Sequence, residues 1–479
     1  MNPATRSTRK YYFRNPDLSN LRKLGKRVTN PGDFQNRHGR LLKLLEMKVI
    51  QGILDTLVQF YDSYCHCFTF LDYQLVPTLE EYSYLIGLPV LDKEPFNGFE
   101  PTPKNAAIAA ALHLETPIIK ANLTTKGGLL GLPAKFLFEK ATTFADMASM
   151  DAFESILALL IYGLLLFPDI PNFVDINAIK IFLAKNPVPT LLADTYHSIH
   201  DRTQKGQGTI LCCAPLLYEW FTLHLPDHFK TNPENALWSQ KTMSLSPSDI
   251  VWYNRDYDTG AIIDSCGEFS NVPLLSIRGG ISYNPILARR QFGYPMEKPK
   301  DISLDGIFYL NQQDSKEMRG KFIQAWRAVH KREKGQLGRR SGLVYKSYTE
   351  WVIDRAAKNG IPYPLQRFPS SSTPSPSLPM TSKTKEEAQY LLTKMTREKD
   401  TWRIRYLEAE REIETLRGQV EQRDHANLKL RQQMIERDDL LQEKDRLLEK
   451  HATKKQRMGF TDLFAGAHPD FEDSPPSKA

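Results

Sequence analysis

The sequence predicts a mainly α-helical globular body with a minor β hairpin or small sheet, followed by a long C-terminal coiled-coil helix. Three observations predict it. Apolar residues recur at helical spacing through most of residues 40–367. The main exception is the stretch from Gly260 to Tyr283, where short β-branched runs alternate with Gly, Asn and Pro. Beyond residue 385 a strict seven-residue apolar repeat is sustained for about nine heptads.

Taken in order, RLLKLLEMKVIQGILDTLVQFYDSY from Arg40 sets Leu41, Leu44, Leu45, Ile53, Leu57 and Phe60 near helical spacing and predicts one amphipathic helix. In VPTLEEYSYLIGLPV, Thr78 caps a short helix and Glu81 reaches back, with Gly87 and Pro89 at the stop. Residues 151–167, DAFESILALLIYGLLLF, are apolar on nearly every face, which predicts a buried central helix ended by Pro168. Ser246, Pro247 and Asp249 predict a further helix start at SPSDIVWYN. The Gly260 to Tyr283 stretch then supplies the hairpin. Asp314 and Glu317 open a helix with Met318, Phe322, Ala325, Trp326 and Val329 on one arc and Lys316, Arg327, Lys331 and Lys334 opposite. Ser347 and Glu350 form a capping box for SYTEWVIDRAAKNG, which Gly360 and Pro362 end.

Composition divides the 479 residues into a basic N-terminal arm (1–39), the helical body (40–367), a Ser/Pro-rich linker (368–384), the coil (385–457) and a disordered tail (458–479). Stepping alternately by four and three residues from Ala388 puts Leu392, Met395, Trp402, Tyr406, Ile413, Leu416, Val420, Asn427, Leu430, Met434, Leu441 and Leu448 in the core of a homodimer. Asn427 falls at a position where a buried amide fixes register and favours two strands. Lys399, Arg423, Arg437 and Lys444 interrupt the core. The first expected partner is therefore a second copy of the chain.

Charge is segregated along the chain. Residues 1–48 carry 12 basic and 3 acidic side chains, residues 49–315 carry 18 and 29, and residues 316–346 carry 10 and 2. Two basic segments thus bracket an acidic middle. Lys and Arg clusters of this kind suit phosphate neutralisation, so DNA or RNA is the second candidate partner. The candidate contacts are Arg22, Lys23, Lys26 and Arg27, with Lys331, Arg332, Lys334, Arg339 and Arg340. The alternative is a protein-only scaffold whose basic segments bind the acidic body or other proteins.

Five cysteines, Cys65, Cys67, Cys212, Cys213 and Cys266, are too few and too odd in number for a disulfide framework, which points to a reducing, intracellular compartment. The longest apolar run, Ile156 to Phe167, is short of the roughly 20 residues that span a bilayer, so no membrane partner is expected. The one-residue gap in Cys65-His66-Cys67 does not suit zinc. His197 and His200 share a helix face at i and i+3 and read as a surface or partly satisfied pair. Gly206-Gln207-Gly208 and the 127–131 glycine loop complete no nucleotide fingerprint, and no GxSxG or HExxH occurs. The expectation is a protein without catalytic residues, metal or cofactor, hence no enzyme.

The stretch FTFLDYQLVPTLEEYSYLIGLPV (Phe68 to Val90) resembles the signature of plant mobile domains, and WRAVHKREKGQLGRRSGLVYKSYTEWVIDRA (Trp326 to Ala356) is similar to the closing segment of a transposon-associated plant domain of unknown function. The resemblance covers most of residues 30–366. It implies a mainly helical domain of mobile-element ancestry, in the nucleus rather than the cytoplasm, followed by a variable coiled coil. The family is sometimes labelled aminotransferase-like, yet no pyridoxal-binding lysine or phosphate loop is recognisable here, and no catalytic residue is carried over.

Overall fold

The computed structural model describes residues 5–364, except 92, 231–236, 255–260, 268 and 300–315, together with scattered positions between 415 and 444. The chain divides into two compact units, Met1–Phe368 and Pro369–Ala479. In the second unit the described positions, Arg423, Arg437 and Lys444 among them, are helical and exposed. The expected linker, the coil core from Leu392 to Leu448 and the tail lie outside the described residues.

Within the first unit helices predominate and the strands form five small sheets among the described residues, where the sequence pattern led us to expect one. The strands are β1 (Lys10–Phe13), β2 (Tyr61–Asp62), β3 (Cys67–Thr69), β4 (Gln74–Leu75), β5 (Thr124–Lys126), β6 (Leu129–Pro133), β7 (Phe173–Asp175), β8 (Gln207–Ile210), β9 (Ala261–Cys266), β10 (Val272–Leu275), β11 (Gly280–Tyr283) and β12 (Val329–Glu333). Most are two to four residues long, too short for a period-two alternation to stand out in sequence. Strands β2-β3-β4 and β5-β6-β7 form antiparallel three-stranded sheets, and β10 pairs with β11 in the expected hairpin.

The segment expected as a basic arm is part of this unit. Strand β1 pairs in parallel with β8, with Tyr11 opposite Gly208. Tyr11 also donates its hydroxyl hydrogen to Thr203 Oγ1 at 3.0 Å. The helices Ser19–Gly25 and Pro31–His38 bury Leu21, Leu24 and Phe34. A basic composition concealed these few apolar anchors.

The central helix is where the sequence puts it. Met150–Ile161 continues into a wide π-type turn, Tyr162–Leu166, and every residue from Ile156 to Phe167 is buried. Gly163 is required there: a Cβ would lie 2.6 Å from Val174 Cγ2, so only glycine lets β7 approach.

Other expected helices differ. The one predicted from Arg40 is two, Leu41–Glu46 and Gln51–Leu57, because Met47 and Ile50 take extended backbone. Both pack on Ala214–Leu223; the first also packs on Met150–Ile161 and the second on Trp238–Met243. At SPSDIVWYN the Ser246 N–H and hydroxyl both donate to Asp249 Oδ2, at 2.8 and 2.6 Å, but only a turn forms. The Val251 N–H that would continue a helix donates instead to the His224 carbonyl at 3.0 Å. The helix predicted to run through Lys334 is Lys316–Arg327, after which β12 pairs antiparallel with β9. The final helix begins at Lys346, with Tyr345 as N-cap and no side-chain cap, so Ser347 and Glu350 form no capping box. Gly360, at φ +75°, ends it as expected.

Candidate functional site

The helix Leu79–Ile86 begins as its sequence demands: Thr78 Oγ1 accepts from the Glu81 N–H at 3.2 Å. The two acids that follow do more than cap. Glu80, buried, accepts the Ile263 N–H of β9 through Oε1 at 2.8 Å, and burial pushes its carboxyl up to about 7. Glu81 is fully enclosed. Its Oε2 accepts from Thr78 Oγ1 at 2.8 Å and Trp220 Nε1 at 2.9 Å. Gln291 Nε2 donates to Oε1 at 2.9 Å, and His224 Nε2 lies 3.0 Å from the same oxygen. A carboxylate buried without such partners would cost far more than the fold could offset.

Glu81 thereby fixes the two chain segments that wall a surface pocket. His224 Nδ1 faces the Val251 carbonyl at 2.9 Å, while the Val251 N–H donates to the His224 carbonyl, which holds the segment leading into Trp252 and Tyr253. Gln291 clamps Val76 from both sides: its amide donates to the Val76 carbonyl at 2.9 Å and accepts the Val76 N–H at 2.8 Å. This secures the tight helical turn Pro285–Phe292, which carries Arg290 and ends at Gly293, φ +81°. The third wall is the 340–342 loop, where the Gly342 N–H donates to the Gly293 carbonyl at 2.9 Å.

The pocket has a volume of about 680 Å³ and is lined by Trp252, Tyr253, Arg290, Gly293, Arg340, Ser341 and Gly342. The Arg290 guanidinium lies 3.7 Å over the Trp252 ring. Arg340 lies 4.7 Å from the Tyr253 ring centre and 5.1 Å from that of Tyr294, and its Nε donates to the Phe292 carbonyl at 3.1 Å. Stacking on an aromatic face holds a guanidinium in place. Burial, the main cause, holds both Arg289 and Arg290 below the usual guanidinium range, with Arg332 adding to it at Arg289.

The sequence-predicted contacts have different fates. Arg340 lines the pocket, Arg339 is exposed, and Lys331 is exposed on β12. Arg332 pairs with Asp264, whose other oxygen lies 2.6 Å from His330 Nδ1. Lys334 is the first residue of the short helix Lys334–Leu337. In the other cluster, Arg22 donates to the Leu45 carbonyl at 2.9 Å and Arg27 pairs with Asp146 at 2.6 Å, while Lys23 and Lys26 are exposed. Lys23 and Arg27 line a separate groove of about 600 Å³ shared with Lys135 and Phe138. Each cluster is thus partly used inside the fold and partly placed on a concave surface.

Sequence reasoning missed Arg290, Trp252 and Tyr253. The available signal was the Arg289-Arg290 doublet inside an otherwise acidic middle. Of the two alternatives for His200, surface or partly satisfied, the structure shows the second: it is buried, its Nε2 is 2.7 Å from Gln204 Nε2 and its ring 4.6 Å from that of His66. Among the described residues, no group of three His, Cys, Asp or Glu side chains is arranged to hold a metal ion, and no helix is long and apolar enough to cross a membrane.

Residues 21–357 match the family described as a domain of unknown function, DUF7745. No curated protein and no solved structure matches the chain. The matched span includes the Glu81 network and every residue lining the pocket, and it covers well over half of the sequence. The chain belongs to the DUF7745 family.

Proposed function

We propose that the chain is a non-enzymatic, self-associating interaction protein that contacts nucleic acid through the basic surface around Arg290 and Arg340. The observation that carries this reading is the pair of guanidiniums stacked on aromatic rings around an open pocket, with Arg339 exposed next to Arg340 and Lys331 exposed on β12. Phosphate contacts of this type supply affinity with little base information, so binding is expected without strong sequence preference. Self-association rests on the heptads of residues 385–457. Mobile-element ancestry and a nuclear location rest on the motif resemblance.

The test is a shift of DNA or RNA mobility by the full-length protein at low salt, with binding expected to weaken steeply between about 50 and 200 mM. Lys331→Glu with Arg339→Glu, both at exposed positions, is expected to weaken it. Absence of any shift at low salt would replace this reading with a protein-only scaffold. A specific observation favours that alternative for the N-terminal cluster, where Arg22 and Arg27 are used in internal contacts.

A further inference from the structure

The Arg290–Arg340 pocket differs from a flat basic patch in three respects. It is concave, and its volume of about 680 Å³ lies within the range of roughly 300–1,000 Å³ typical of small-molecule sites. A lone phosphate would leave most of it empty. Its cations are also planar groups backed by rings, with Arg290 over Trp252 and Arg340 over Tyr253 and Tyr294. The Arg290 guanidinium so placed offers N–H groups at its edge for phosphate and a flat outer face on which a base can stack. Finally, the walls are braced before any ligand arrives. Glu81 ties the Trp252 segment through His224 and the Arg290 turn through Gln291, so little ordering cost remains to be met on binding.

Arg290 makes no ion pair among the described residues; the carboxylate acting on it is Asp72, at longer range. Ser341 adds a hydroxyl at the rim, its oxygen accepting the Leu343 N–H at 3.3 Å with its own hydrogen left to donate. A base paired inside a duplex cannot enter such a concavity, because its face is covered by its neighbours and its edge by its partner. An unpaired nucleotide can.

We infer that this pocket seats one unpaired nucleotide of a single strand, its phosphate at the edge of the Arg290 guanidinium and its base on that group's outer face. The inference rests on the nucleic-acid reading above and narrows it. Neighbouring phosphates run toward the exposed Arg339, next in the chain to the pocket residue Arg340, which adds affinity without selectivity.

The experiment uses the full-length protein and three fluorescent probes: a short single-stranded oligonucleotide, a duplex of the same sequence, and heparin as a polyanion without bases. Anisotropy titrations at one salt concentration should give about tenfold tighter binding to the single strand than to the duplex. Arg290→Gln should weaken single-strand binding about tenfold and leave duplex and heparin within twofold. Arg290→Lys should not restore it, since an ammonium keeps the charge but lacks the plane. Equal affinity for single strand and duplex, or an equal loss on all three probes in Arg290→Gln, would overturn the inference and leave the broader reading standing. Failure of all three probes to bind would remove both. If Arg290→Gln does not fold, Arg290→Lys, which keeps the charge, carries the same comparison across the three probes.

Discussion

At the scale of single residues, the fold turns on one enclosed carboxylate. His224 Nδ1 faces a carbonyl, which can only accept, so that nitrogen bears a proton. Its Nε2 and Glu81 then share one further proton between them, as an ion pair or as a neutral pair. Glu81→Gln leaves one oxygen to receive the Thr78, Trp220 and Gln291 donors. It is expected to cost about 3–5 kcal/mol in urea denaturation, as breaking a buried pair does. The capping role of Glu81 was legible at i+3 from Thr78. Its network was not, because Trp220, His224 and Gln291 stand 139, 143 and 210 residues away. Titration adds a second prediction. Burial holds His38, His66 and His197 at about 4 and His200 at about 3; Arg37 and Lys185 add to it at His38, His66 and His197 add to it at His200, and Asp201 opposes it there. The unfolded chain, with imidazoles near 6.5, binds more protons than the fold below that pH, so stability falls as the pH drops from about 6.5 to about 4. Glu80 and Asp194, both pushed up to about 7 by burial, act oppositely: the fold keeps protons that the unfolded chain releases above about 4.5, and their contribution declines as pH rises toward 7. Asp55, Asp72, Glu154 and Asp175, also raised by burial, act in the same sense as Glu80 and Asp194, but near pH 6 the four imidazoles outweigh the two carboxyls that reach about 7. Urea midpoints should therefore peak near pH 6.5 and fall on acidification, each net proton contributing about 1.4 kcal/mol per pH unit; a midpoint flat from pH 6.5 to 4.5 would contradict this.

Elements were legible where burial is complete or a cap is local. Residues 151–167 needed no tertiary information, since a run apolar on all faces has only the core to occupy. Within it, Gly163→Ala forces a methyl against Val174 and is expected to cost about 1–3 kcal/mol, and Leu157→Ala about 2–5 kcal/mol through the cavity it leaves, both read as thermal shifts. Elements failed where a distant partner competes for the backbone. The helical arc of Met318 to Trp326 extends arithmetically to Val329, yet β9 offers a ladder, and residues Val329–Glu333 take it. Ser246 and Asp249 likewise make their local bonds, but His224 captures Val251. Periodicity reports which face is apolar; it is silent on which donor a carbonyl elsewhere will claim. The same silence hid the pocket, whose walls come from residues 252–253, 290–293 and 340–342.

At the scale of the whole molecule, composition gave a helical body and a charge map, and the fold sorts that map by use. The N-terminal basic segment supplies β1 and the first helices, so its cations sit on packed elements. The second basic segment ends in Arg340 at the rim of a pocket. The proposed self-association rests on residues 385–457, where the heptads predict a parallel homodimer; light scattering of the full chain should give a dimer mass at micromolar concentration, and Leu416→Pro should return it to monomer. The central claim, that the basic surface around Arg290 and Arg340 contacts nucleic acid, is tested most directly by the salt dependence of binding. The slope of log affinity against log salt should be steep for the wild-type chain and shallower by about one to two for Lys331→Glu with Arg339→Glu. Identical slopes for the two proteins, or no measurable binding at low salt, would contradict it.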